Sequence, residues 1–243
     1  MTYLSRIWLN PLRSGTRRLI GNPQVAHAAV LGGISAQPLN ERVLWRLEPE
    51  TSHRSVLLVL SQSKPSWDHV IEQAGWTGAE FPQISIKSYV PLLDQVTEGA
   101  LFRFKVRASP TYATKQISAP SPAQQRRLAE PRPRGVRLPH RNEEHQYNWF
   151  LERAAAKWGF IVETTDSGQP LLAITERQRV SFRKRRDAGH RVTLHTATYE
   201  GALRILDAES ARYCLLHGVG TARGYGCGLV SIAPVADGIR YSC

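Results

Sequence analysis

Cysteine, carboxylate and aromatic side chains are all scarce in this chain, and each shortage removes a class of explanation. The three cysteines, Cys214, Cys227 and Cys243, make no even disulfide framework, which points to a reducing compartment and the cytoplasm. Cys214-x-x-His217 with Cys227 beyond it resembles a zinc site only loosely, so neither a metal nor another cofactor is expected. No apolar run approaches the roughly 20 residues a membrane span needs; Val56-Leu57-Leu58-Val59-Leu60 is strand-sized. Nor do the opening residues have a signal-peptide layout. Aromatic residues are only 8% of the chain and form no glycine-spaced stacking run on a strand, which argues against single-strand reading by stacked bases on an RRM-like sheet and favours a structured helix or hairpin held by its backbone. Paired carboxylates at metal spacing, a Ser-His-Asp signature, a Walker loop and a dinucleotide fingerprint are likewise missing.

What the chain does hold is basic charge. Thirty-two Lys and Arg stand against 20 Asp and Glu, a net charge of +12, which asks for a polyanionic partner, nucleic acid before an anionic membrane. A hydrophobic content of 42% is that of a folded protein, and 243 residues suit two domains of roughly 100 residues each.

Taken in order, residues 3–10 alternate as a first strand, and residues 11–21 read as a loop carrying Arg13, Arg17 and Arg18. Asn22 can cap a helix, Pro23 suits its first position, and Gly32-Gly33 ends it. Residues 42–48 and 55–60 pair as strands, Ser66 caps a short helix over 67–74, and 81–90 supplies a fourth strand. This β-α-β-β-α-β order is the ferredoxin-like unit, and it recurs. Residues 91–99 read as a linker, followed by a strict alternation over 101–107 with Arg103, Lys105 and Arg107 on one side. A Pro- and Arg-rich excursion over 109–141, partly mobile, precedes a helix capped by Asn142 and stopped at Gly159. Short strands over 160–164 and 171–175, a hairpin over 177–199, a helix capped by Asp207 and a last strand at Leu229 complete the repeat. The expected fold is α+β, two tandem ferredoxin-like βαββαβ domains spanning 1–92 and 98–243.

Three features carry chemistry. The hairpin concentrates Arg177, Arg179, Arg183, Lys184, Arg185, Arg186 and Arg191, with Val180 and Phe182 on the opposite face. Such a ribbon fits a groove of duplex nucleic acid, the alternative being a solvated surface strand. A second cluster, Arg126, Arg127, Arg132, Arg134 and Arg137, suits either a phosphate-contacting arm or plain solubility. The stretch Gly218-Val-Gly-Thr-Ala-Arg-Gly-Tyr-Gly-Cys-Gly228 must be a loop, because glycine stands at nearly every second position. With Arg223 in its middle it suits a phosphate chain, or else it is a flexible connection to a buried strand. His27 is the third feature. It lies in the second turn of its helix among small neighbours, close to Arg13, Arg17 and Arg18. An imidazole can pass protons while RNA supplies its own 2′-hydroxyl nucleophile, although an ordinary part-exposed histidine would look the same.

The opening Tyr3-Leu-Ser-Arg, the Asn22 to His27 helix start, Leu44-Trp-Arg-Leu-Glu48, Phe102-Arg-Phe-Lys-Val-Arg-Ala-Ser-Pro110 and the glycine stretch with Ala233-Pro234 together resemble the CasE (Cse3) family of CRISPR repeat-processing endoribonucleases. The resemblance implies tandem ferredoxin-like domains that bind the hairpin of a CRISPR repeat RNA and cut once at its 3′ base without metal. It further implies that the product stays bound as the protein joins other Cascade subunits, the protein being a monomer outside that complex. The family's catalytic histidine falls on His27. Some members have a tyrosine where Gln24 stands here; a neutral amide can bind a phosphate oxygen or orient the ribose but is a poor proton donor. The basic hairpin, with Arg103 and Lys105, would hold RNA, and Gly218, Gly220, Gly224, Gly226 and Gly228 form the signature loop, expected beside the RNA backbone. Two other readings stay open: a non-catalytic scaffold for an RNA hairpin, and a basic DNA-binding protein.

Overall fold

The computed structural model describes residues 1–35, 38–131, 133, 135–183 and 191–235. Strand β1 (Tyr3–Leu9) alternates as its sequence requires, burying Ser5, Ile7 and Leu9 on one face. The segment that follows is not all loop. It forms helix α1 (Ser14–Gly21), because Leu19 packs into the core and the Thr16 hydroxyl donates to the Ala74 carbonyl at 2.9 Å. Gly15, which reads as a breaker in sequence, is needed there: a Cβ would stand 2.0 Å from the Gln73 carbonyl oxygen. Tertiary contact thus overrides local propensity.

Helix α2 (Pro23–Gly32) starts as its sequence predicts, with the Asn22 side chain accepting from the Gln24 N–H at 3.0 Å. Strands β2 (Leu44–Thr51) and β3 (Arg54–Ser61) follow, then α3 (Asp68–Ala74), β4 (Ile84–Ser88) and a short helix, α4 (Val90–Leu93). Trp67, not Ser66, sits at the start of α3; the Ser66 hydroxyl instead donates to the Asp68 carboxylate at 2.7 Å. The sheet runs β2-β3-β1-β4, every neighbour antiparallel.

The second half opens on β5 (Leu101–Ala108), whose Phe102, Phe104 and Val106 are buried. The excursion predicted next is organised: β6 (Thr111–Thr114) pairs with β7 (Val136–Pro139), and between them α5 (Pro122–Leu128) is closed by a capping box at Ser121. Helix α6 (Glu143–Lys157) begins at Asn142 and places Phe150 between Phe104 and Tyr199, at 5.3 and 4.5 Å. Strands β8 (Phe160–Val162), β9 (Leu172–Arg183) and β10 (Arg191–Ile205), helix α7 (Ala208–His217) and β11 (Val230–Pro234) complete the chain. The sheet order is β11-β5-β10, with β8 and β9 sharing the far edge of β10. Both halves therefore have the ferredoxin-like order, fourth strand beside first, first beside third, third beside second, with helices on one face.

One sequence expectation needs correction here. The short strand at 171–175 and the first hairpin arm are a single strand, β9. Thr198 pairs with Glu176 while Tyr199 pairs with Ile174, so Thr175 is an extra residue that reverses the alternation partway along. A phase change of that kind reads as a strand boundary.

The two halves are joined through a buried arginine. Arg46 of β2, 2% exposed, donates to the carbonyls of Lys105 at 2.9 Å and Leu229 at 2.8 Å and to the Ser231 hydroxyl at 2.8 Å. Glu48 balances this buried charge, 3.2 Å from Arg46 and 3.2 Å from Lys105. Leu44 and Leu60 of the first half join the apolar core of the second. No described helix is long and apolar enough to cross a membrane.

Candidate active site and nucleic-acid interface

His27 stands where the two halves touch. It projects from the second turn of α2 toward a turn of 3-10 helix, Arg223–Tyr225, inside the glycine loop. A Cβ on Gly224 would lie 3.6 Å from His27 Cε1, and the Tyr225 ring centre is 6.5 Å from that of His27. The ring is half-buried, its Nδ1 is shielded from solvent with no hydrogen-bond partner, and burial holds its pKa below the ordinary histidine value. An imidazole in that state is neutral at pH 7 and free to accept a proton.

Gln24 lies one turn earlier on α2 and opens into a neighbouring cavity of about 580 Å³, walled also by Arg18, His69 and Arg183. His69 comes from α3, its Nε2 2.9 Å from the Ala29 carbonyl oxygen. No spacing in the sequence signals His69; only the packing of α3 on α2 brings it there. Tyr225 was legible only as an aromatic side chain inside a glycine run. Its role is mechanical, since it packs on Phe182 of β9 at 4.8 Å and so fastens the basic strand to the loop beside His27.

The cations nominated by the sequence divide into two groups. Arg13 is turned onto α3, donating to the Glu72 carbonyl at 2.6 Å and the Thr77 hydroxyl at 3.0 Å, and Arg17 donates to the Leu12 carbonyl at 3.1 Å. Arg177 holds the start of α6 through the Gln146 amide, the Glu143 carboxylate and the Arg141 carbonyl. Lys105 sits between Glu48 and Glu200. These four are engaged by the protein itself. By contrast Arg103, Arg179, Arg183 and Arg191 are exposed, and among the described residues none of them has an ion pair; the same holds for Arg18. Arg183 faces Arg191 in register, a like-charge pair that an anion would relieve. Lys184, Arg185, Arg186 and the hairpin turn lie outside the described residues, as do Arg132 and Arg134.

The glycine loop works mainly as packing. Gly218, Gly220, Gly226 and Gly228 have positive φ, and the loop seats itself against Leu44, Trp45 and Trp149. At Gly226, φ is +77° and a Cβ would meet the Trp45 ring at 2.8 Å, so no other residue fits. Arg223 is part-buried, its Nε shielded from solvent and unpartnered, and burial lowers its pKa with Arg42 adding to the effect. Cys214 and Cys227 are buried thiols, pushed up by burial to about 12 and about 11, and His217 Nδ1 is 3.0 Å from the Tyr213 carbonyl oxygen.

Two ferredoxin-like modules joined across a polar clamp, with an unpaired imidazole and exposed arginines at their junction, define a class of nucleic-acid-handling proteins rather than a small-molecule enzyme. A model of the CRISPR associated protein family matches residues 2–234, and the chain belongs to that family. It is 29% identical over 238 residues to the CRISPR-associated endoribonuclease Cse3 of Thermus thermophilus, covering 96% of this chain and all of that one. Among solved structures it is similar to Thermus thermophilus Cse3 bound to an RNA representing a pre-cleavage complex, with a TM-score of 0.73 at 25% identity over 96% of this chain and 99% of the other. A CRISPR endoribonuclease Cse3 bound to a 19-nucleotide RNA gives a TM-score of 0.72 at 27% identity with the same coverage.

Proposed function

We propose that the protein is an endoribonuclease that binds the hairpin of a CRISPR repeat RNA and cuts the precursor at the 3′ base of the stem. The observation that carries this reading is the setting of His27: a half-buried imidazole packed against Gly224 of the glycine loop, one turn from Gln24, whose cavity is walled by Arg18 and Arg183, two exposed arginines without an ion pair among the described residues. Arg179, Arg183 and Arg191 of β9 and β10, with Arg103, engage the phosphates of the stem, and Arg18 faces the strand from α1. His27 takes the proton of the 2′-hydroxyl, whose oxygen attacks the adjacent phosphorus in line. The P–O5′ bond breaks and the leaving 5′-oxygen takes a proton from water, giving a 2′,3′-cyclic phosphate and a 5′-hydroxyl end, while His27 later returns its proton to solvent. Arg18 offsets charge on the phosphorane, and the Gln24 amide in the same cavity orients the ribose or a phosphate oxygen. Since the substrate brings its own nucleophile, no metal is required for the scheme. The modules are residues 1–92 and 98–243, and the protein is a monomer that joins a Cascade-type complex in the cytoplasm with the guide RNA still bound.

Proton transfer by a placed side chain contributes about 10² to 10⁴ in rate, and in-line positioning contributes much of the rest. His27→Ala is therefore expected to slow cleavage of a repeat RNA by at least about 10² while binding stays the same. The decisive assay incubates the protein with repeat RNA in EDTA and maps both product ends. A requirement for added magnesium, or cutting of RNA with 2′-deoxyribose at the scissile position, would refute the mechanism. Tight hairpin binding with no defined product would favour the scaffold reading.

A further inference from the structure

Gly224, against which His27 packs, also borders a trough. Its first compartment, about 630 Å³, is walled by Arg42, Arg137 of β7, Arg153 and Lys157 of α6, and Arg223 of the glycine loop. No carboxylate lines it, and none of these five cations has an ion pair among the described residues. Five unneutralised cations around one hollow repel each other unless an anion is bound. The buried, unpartnered Nε of Arg223 is a second sign that a hydrogen-bond acceptor belongs here.

The trough continues past Tyr112 and Trp149, which line both compartments, into a second space of about 730 Å³. This end differs in chemistry. Tyr112, 41% exposed, lies 4.9 Å from His140, which lies 5.9 Å from His145, and Glu152 is in the wall. Three aromatic rings in tilted and edge-on contact, with Arg141 and Glu152 offsetting each other in the wall, offer a nucleobase more contact than they offer a phosphate. Phosphate-binding charge followed by stacking surface is the pattern of a single-strand site, and each compartment has room for a nucleotide.

We propose that this trough is a subsite for the single-stranded nucleotides that follow the stem on the 3′ side of the cut, their phosphates in the cationic compartment and a base on the Tyr112 to His145 ladder. The direction rests on the reading above: a strand whose scissile phosphate lies at His27 leaves the stem there and passes Gly224 into the trough. The rings are carried by β6, by His140 just after β7 and by the start of α6, so the excursion between β5 and α6 becomes a substrate-holding element.

The test compares the affinity of the full chain for three RNAs, each with 2′-deoxyribose at the scissile position: the stem–loop alone, the stem–loop with a 3′ single-stranded extension, and the stem–loop with a 5′ extension. The 3′ extension is expected to tighten binding about tenfold and to steepen the salt dependence, whereas the 5′ extension changes neither. The double variant Arg153→Glu/Lys157→Glu, and separately Arg42→Ala on a different element, should lose most of that gain while keeping the affinity for the stem–loop alone. Tyr112→Ala should lose the part of the gain that salt does not affect. No gain from the 3′ extension, a gain from the 5′ extension instead, or an undiminished gain in both cation variants would overturn the subsite. If the wild-type chain did not bind the stem–loop at all, it is the hairpin-binding function that would fall.

Discussion

At the scale of the residue, the proposed chemistry turns on the state of one imidazole. Burial disfavours the charged ring of His27, so its pKa lies below 6.5 in the free protein and the ring is neutral at pH 7. A general base must be neutral to act. The cleavage rate at sub-saturating RNA reports the free enzyme, and it is expected to climb about tenfold per pH unit at acid pH, then level off at an apparent pKa below 6.5. A rate that falls through the same range would assign His27 the role of acid and refute the base. The same shift has a sign for stability. The folded chain binds the proton less readily than the unfolded one, so stability is intact above pH 6.5 and declines as the pH drops from there through the lower folded value. His140 and His195 are shifted the same way by burial and nearby cations, and they add to the acid side of that profile.

At the scale of the element, the glycine loop separates structural from chemical need within three residues. Gly226→Ala must hold a strained backbone and push against the Trp45 ring, and we expect it to cost about 2 kcal/mol, or a melting temperature lower by about 6 °C. Gly224 has ordinary φ, and a Cβ there would only touch the His27 ring at van der Waals distance, so Gly224→Ala should melt within about 2 °C of wild type. Equal losses from both would show that the loop is not anchored on Trp45. The contrast marks what a sequence discloses. Glycine spacing made the loop legible, and Asn22-Pro23, Asn142 and Asp207 made three helix starts legible, because capping chemistry is local. Helix α1 was hidden because Gly15 looks like a breaker until α3 is packed against it. Strand β9 read as two because Thr175 shifts its phase. Of the site, His27 could be nominated from its helix and its family likeness, but the identity of the occupied arginines could not. Arg13, Arg17, Arg177 and Lys105 look as available in sequence as Arg179 and Arg183, and only tertiary contacts show that they are engaged. Removing one of the latter pair should therefore weaken RNA binding and lower the salt slope by about one, which a titration across salt concentrations reads directly.

At the scale of the whole molecule, the site exists only while the two modules keep their orientation, since His27 belongs to one and Gly224, Tyr225 and Arg223 to the other. The Arg46 side chain holds that orientation. One guanidinium satisfies two backbone carbonyls and a hydroxyl of the second module, while Glu48 compensates its charge and also binds Lys105. Nothing in Leu44-Trp-Arg-Leu-Glu48 as a sequence distinguishes this arginine from a surface one, because its partners lie more than fifty residues away in the chain. Removing it takes the buried Leu229 carbonyl's side-chain donor away and leaves Glu48 with Lys105 alone, so Arg46→Ala is expected to cost about 3 kcal/mol in a urea or thermal melt. Arg46→Met, which keeps the apolar volume, tests the same clamp with less cavity. Both variants should also cleave more slowly, although Arg46 is too deeply buried to meet RNA, because the imidazole loses its register against the loop. If Arg46→Ala changed stability by less than about 1 kcal/mol and left the cleavage rate alone, the modules would be held by the Leu44 and Leu60 contact instead, and the polar clamp would be incidental.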